Sequence, residues 1–270
     1  MLKQLTILTL FLIQISPTWS QTPPEFEWGV YIDSLQLQNN NLRNKIELDY
    51  SGNVIIWGVV NETGDFDPGP GTNIPINDGT YDGYFVKYSP SGTLIFANYL
   101  GGPNTQIIID LDVDSLGNIY LFGEGEDSVD FDPGPGYYPL YLNNQFGEKF
   151  LAKYDSLGQF IWARKIYIPT IKACMGVDKS GNIFFASEFN GTVDFDTSPQ
   201  DWTLSSDSGT TVLLKYSSQG NLFYADNLGD TINSNQVFYA FMDSSDNFHF
   251  IGRLHNYFDL DPTINISPLN

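Results

Sequence analysis

The heptapeptide DFDPGPG occupies residues 65–71 and recurs at 130–136, and it belongs to a longer period. The second Asp of the D-x-D pair falls at Asp67, Asp132, Asp196 and Asp261, a step of 64 or 65 residues. The same step carries a turn motif, YSGN at 50–53, SLGN at 115–118, KSGN at 179–182 and SSDN at 244–247. It also carries FVKY at 85–88, LAKY at 151–154 and LLKY at 213–216, each followed by an aromatic-bearing segment: LIFANYLGG from 94, FIWARKI from 160 and LFYADNLG from 222. Landmarks recurring in one order define an internal repeat, and a repeat confines the fold to units that bury their apolar faces against one another.

Each unit reads as short strands rich in β-branched and aromatic residues, separated by Gly-bearing turns. In the second unit, Ile107–Val113 precedes the turn DSLGN and the strand IYLFG; the acidic insert, FLAKY, a second turn and FIWARKI follow. Four antiparallel strands plus one long connection make a propeller blade rather than a solenoid coil. The expected fold is an all-β β-propeller of four-stranded blades with units at 42–105, 106–170 and 171–235 and a partial fourth at 236–270. FEWGVYI at 26–32 resembles the last strand of a preceding unit, a closing strand. Complete propellers use about four to eight blades. Three units and a partial fourth therefore predict a truncated longer protein or an open arc whose exposed edges would invite pairing with another copy.

The order GNIYLFG (117–123), SVDFDPGPG (128–136), FLAKYDSLG (150–158) and FIWARKI (160–166) resembles the secreted bacterial β-propeller repeats of the SBBP type. The resemblance covers residues 26–270. It implies the propeller fold and a secreted or surface protein, and it brings no agreed catalytic residues.

Residues 1–20, MLKQLTILTLFLIQISPTWS, have a Lys, an apolar run from Leu5 to Ile15 and a small residue at the end, the layout of a signal peptide. An uncleaved anchor is the alternative. The mature domain is expected to be 21–270, exported, with no membrane insertion after cleavage. The formal net charge is −20, and the leader holds Lys3 but no acid. Such a field repels nucleic acid and anionic membrane surfaces. The single cysteine, Cys174, allows no internal disulfide and reads as a buried small hydrophobe.

The acidic insert admits two readings. Asp65 with Asp67, and Asp130 with Asp132, place paired carboxylates on one side of an extended segment, a possible start for a Ca2+ site. Alternatively, Asp accepts backbone N–H bonds in a tight turn that Pro and Gly shape. Copies three and four, DFDTSPQ and DLDPTIN, keep the acids and lose the Gly-Pro frame. Lys87, Lys153 and Lys215 are expected to pair with an acidic insert, and Trp28, Phe96, Trp162 and Tyr224 to pack blade on blade. His249 aligns with Ile55, Tyr120 and Phe184 and reads as a half-buried strand residue; His255 lies six residues on. Glu47, Asp110 and Asp112 could crowd near the axis and support acid-base work on a glycan.

The expected function is a binding or scaffold module for a protein or glycan, with Ca2+ as the one cofactor considered. A carbohydrate-active enzyme using axial carboxylates and a non-functional fragment of a longer propeller are the alternatives.

Overall fold

The computed structural model describes residues 45–60, 65–69, 71, 81–142, 148–170, 172–196, 202–228 and 236–253, and every regular element among them is a β-strand. The closing strand at 26–32, Trp28, His255, the fourth acidic insert and the leader lie outside the described residues.

Blade one orders β1 (Lys45–Leu48), β2 (Val54–Val60), β3 (Asp82–Tyr88) and β4 (Leu94–Tyr99) side by side, all antiparallel. In blade two, β5 (Gln106–Val113) and β6 (Ile119–Gly125) come first. A ribbon of β7 (Asp127–Asp130) and β8 (Pro139–Leu142) fills the long connection, and β9 (Glu148–Tyr154) and β10 (Phe160–Tyr167) complete the sheet. Blade three orders β11 (Cys174–Val177), β12 (Ile183–Asp194), β13 (Thr203–Tyr216) and β14 (Leu222–Leu228). Here the ribbon is fused to the sheet: β12 and β13 run on past a register shift at Phe189/Gly191. β15 (Gln236–Met242) and β16 (Phe248–Arg253) form the inner pair of a fourth unit.

The repeated turn joins the first two strands of each unit. Asp49 Oδ1 accepts from the backbone N–H groups of Ser51 and Asn53, and its Oδ2 accepts from Asn53 Nδ2. Asp114, Asp178 and Asp243 repeat this. The turn places its third residue at positive φ, which Gly52, Gly117 and Gly181 adopt without a Cβ penalty. Asp246 fills that position in the fourth unit with φ 63°, in keeping with the tolerance of Asp for left-handed backbone.

Middle strands are buried on both faces, β2 and β3 along their whole length, because each blade is covered on two sides. On one face, which we call leading, Ile55, Trp57 and Phe85 of blade one share a core with Leu111, Val113, Ile119 and Leu121 on the trailing face of blade two. Tyr120, Phe122 and Leu151 lead from blade two into Met175, Val177, Ile183 and Phe185 of blade three. Phe122 and Phe185 meet edge to face at 5.0 Å, and Phe184 stacks on Phe248 of the fourth unit at 5.7 Å. The first strands β1, β5, β11 and β15 pack in succession, the innermost place in each blade. The molecule is a propeller-like arrangement of four-stranded blades.

Candidate functional site

Strand pairing fixes which side chains of the inner strands face the next blade. Lys45 pairs with Trp57, Asp110 with Phe122, Cys174 with Ala186 and Tyr239 with Ile251, so these are equivalent leading positions. Two residues on stand Glu47, Asp112, Gly176 and Phe241. Among the described residues, the carboxylates at these leading positions therefore belong to blades one and two.

Lys45 Nζ donates to Asp110 Oδ1 at 2.7 Å. Asp110 Oδ2 accepts from the backbone N–H of Met175, and Asp112 Oδ2 accepts from that of Val177 at 2.6 Å. Asp112 Oδ1 takes the N–H of Val113. Burial, with the Glu47 carboxylate adding to it, pushes the Asp112 carboxyl up to about 7. Burial also raises Glu47, against the N–H of Leu48 and with Asp110 nearby. The structure thus brings Glu47, Asp110 and Asp112 together as the sequence suggested. Pairing to the N–H groups of the following blade was not legible in it, because those partners are backbone.

Lys87 and Lys153 of the KY strands go to a different carboxylate from the one expected, and Lys215 lies against aromatic rings. Lys87 Nζ lies 2.8 Å from Asp49 Oδ2, both side chains buried, and donates also to the carbonyl of Ser156 in the next blade. Lys153 sits 3.8 Å from Asp114 and over the ring of Tyr120, whose hydroxyl donates to the same carboxylate. Lys215 lies over Phe184 and Phe223. The correction has a simple cause: β2–β3 pairing puts Lys87 opposite Ile55, beside the Asp49 turn and away from the insert. Burial raises the Asp49 carboxyl, but hydrogen bonds from Lys87 and Asn53 outweigh it and hold the group below its ordinary value.

In the inserts, Asp65 Oδ1 accepts from the N–H of Asp67, and Asp67 Oδ1 from that of Gly69. Asp130 Oδ1 accepts from Asp132 and Tyr138, and Asp132 Oδ1 from Gly134. A Cβ on Gly136 would fall 1.9 Å from Asp132 Oδ2, so the folded-back carboxylate occupies the space a side chain there would take. Phe66 and Phe131 are fully buried, and their carbonyls accept from the Tyr88 and Tyr154 hydroxyls. These contacts match the turn reading of the insert. Calcium takes six to eight oxygens, and among the described residues no group of three or more His, Cys, Asp or Glu converges. In the third unit the equivalent hydroxyl, Tyr216 Oη, is buried without a hydrogen-bond partner.

His249 belongs to β16 as expected, but it is exposed rather than half-buried; it stacks on Phe241 and lies 2.8 Å from Asp243 Oδ2. That geometry repeats the Tyr120–Asp114 contact. Cys174 is half-buried at the start of β11 and makes no disulfide. The outer aromatics pack across blades: Phe96 lies against Gly158 and Trp162 against Gly220. Trp162 Nε1 donates to the carbonyl of Ser218. A groove of about 220 Å³ between the turns of blades one and two is lined by Asp49, Lys87, Gly117 and Ser156.

No protein-family model matches the chain. Over 155 residues it is 30% identical to an uncharacterized WD repeat-containing protein of Acanthamoeba polyphaga mimivirus. The match takes in 54% of this chain and 11% of that relative, so the chain spans about one tenth of the relative's length. WD repeats are four-stranded propeller blades. The likeness agrees with the blade architecture.

Proposed function

We propose that the chain is an exported propeller of the SBBP type that acts as a binding or scaffold module at the cell surface or outside the cell. The observation that carries this reading is the use of its charged and polar groups: Asp110, Asp112, Lys87 and Ser115 each bond to the backbone of a neighbouring blade. Charges spent on blade-to-blade adhesion serve a rigid display surface. The acidic surface and the leader-like residues 1–20 accord with export.

A second reading, a glycan-cleaving enzyme, draws on Asp112, a carboxyl raised to about 7 beside Glu47, the pairing of acids that glycoside hydrolysis uses. One experiment separates the two. The chain is incubated with a panel of neutral and acidic polysaccharides and assayed for new reducing ends, alongside Asp112→Asn. A scaffold releases none. Release that disappears in a variant with unchanged melting would establish the enzyme. Cell fractionation with and without residues 1–20 tests export; an intracellular full-length chain would refute it.

A further inference from the structure

Asn is followed directly by Gly at one place in the sequence, Asn190 and Gly191. The pair sits in β12 where the register with β13 shifts: Phe189 faces Thr210, Gly191 faces Ser206, and Asn190 has no place in the ladder between them. Asn190, Gly191 and Thr192 are all exposed. Gly191 has φ 80°, and a Cβ there would meet nothing within 4 Å. The Asn190 side chain turns back along the main chain, so that the N–H of Gly191 donates to Asn190 Oδ1 at 2.8 Å.

We infer that Asn190 is a site of self-modification: the Gly191 amide nitrogen closes on Asn190 Cγ, and water then converts the asparagine to aspartate and isoaspartate. Oδ1 is bonded to Cγ, so the contact already holds the attacking nitrogen beside the carbon it attacks, and such proximity removes the cost of an encounter. Glycine brings no side chain to crowd the approach, and its backbone is free to rotate into line. The new N–Cγ bond forms as the amide proton passes to water; the Cγ–Nδ2 bond breaks, and that nitrogen leaves as ammonia. A cyclic succinimide remains. Water adds to either of its carbonyls, and ring opening gives aspartate, or isoaspartate with the main chain routed through Cγ. Asparagines of the repeated turn are guarded against the same step. Nδ2 of Asn53, Asn118 and Asn182 is held by the turn Asp, and the β-branched Val54, Ile119 and Ile183 follow them. The site does not depend on what the propeller displays.

The test incubates the folded full chain at mildly alkaline pH in water enriched in heavy oxygen and maps it by peptide mass spectrometry, with isoaspartate read by enzymatic methyl labelling. Position 190 is expected to exchange its amide for a heavy-oxygen carboxyl, as both aspartate and isoaspartate, at least about tenfold faster than Asn53, Asn118 or Asn182 in the same molecules. Asn190→Gln, which keeps the amide but would have to close a larger ring, is expected to melt as wild type does and to stay unlabelled at 190. The comparison within the wild-type chain decides the matter whatever the stability of the variant. An amide that persists at 190, conversion no faster than at the turn asparagines, or aspartate without isoaspartate, the mark of direct hydrolysis, would each overturn the proposal.

Discussion

The Lys87–Asp49 pair is the charge placement most sensitive to substitution, because both side chains are almost wholly removed from water. Removing one partner strands the other, at a typical cost of about 3 kcal/mol. Lys87→Met is expected to lose that much in urea unfolding, and Asp49→Asn combined with it to regain part. Glycines offer a graded comparison. A Cβ at Gly52 would meet only Pro90 at 3.7 Å, whereas at Gly181 it would fall 2.1 Å from the Tyr120 hydroxyl of the preceding blade. Gly52→Ala should cost about 1 kcal/mol for its left-handed backbone, and Gly181→Ala measurably more in the same titration. The recurrence of Asp49, Lys87 and Gly52 was plain in the sequence. Which carboxylate each lysine meets was not: insert and turn acids repeat with one period, and only strand register tells them apart.

At the scale of elements, the acidic insert works as a strap over the blade. The buried Phe131 and the bond from Tyr154 Oη to its carbonyl hold it down. Tyr154→Phe should lower stability by about 1 kcal/mol, the usual worth of such a bond, read by chemical denaturation. With Oδ1 of each insert Asp taken by backbone N–H groups, millimolar Ca2+ is expected to leave the melting temperature unchanged. A rise would identify Asp65, Asp67, Asp130 and Asp132 as metal ligands, since a ligand of the folded state stabilises it by mass action. The four-strand blade was legible from β-branched runs and Gly turns, and the second unit's strands fall where those runs predict them. The β7–β8 ribbon was not, because Pro and Gly in the insert read as loop. Its pairing depends on contacts across the connection, as in Asp130 opposite Pro139.

For the whole molecule, the inner strands couple blades through ionisable groups, and this sets a pH dependence. Asp112 is raised to about 7 in the folded chain, so between the ordinary carboxylate range near 4 and pH 7 the native state holds the extra proton. Stability therefore falls as pH rises through that window, and the raised Glu47 acts in the same direction. Melting is expected at a lower temperature at pH 8 than at pH 5.5, with the difference reduced in Asp112→Asn; a flat profile in the wild-type chain would contradict it. Below pH 4 the sign reverses, because the depressed Asp49 carboxylate is then protonated and its contribution is lost.

The seam at Gly117 and Gly181 has a further meaning. Each of these glycines leaves room for groups that belong to the blade before it, Asp49 and Lys87 in one case, Tyr120 and Asp114 in the other. Half of every joint is thus written about 65 residues away from its other half. Any stretch one period long, cut at any phase, carries one half of two different joints and restores both when spliced between neighbours. Copy number can therefore change by whole periods without rewriting a joint, while a single domesticated blade, moved alone into an unrelated sheet, would arrive with two unmatched halves.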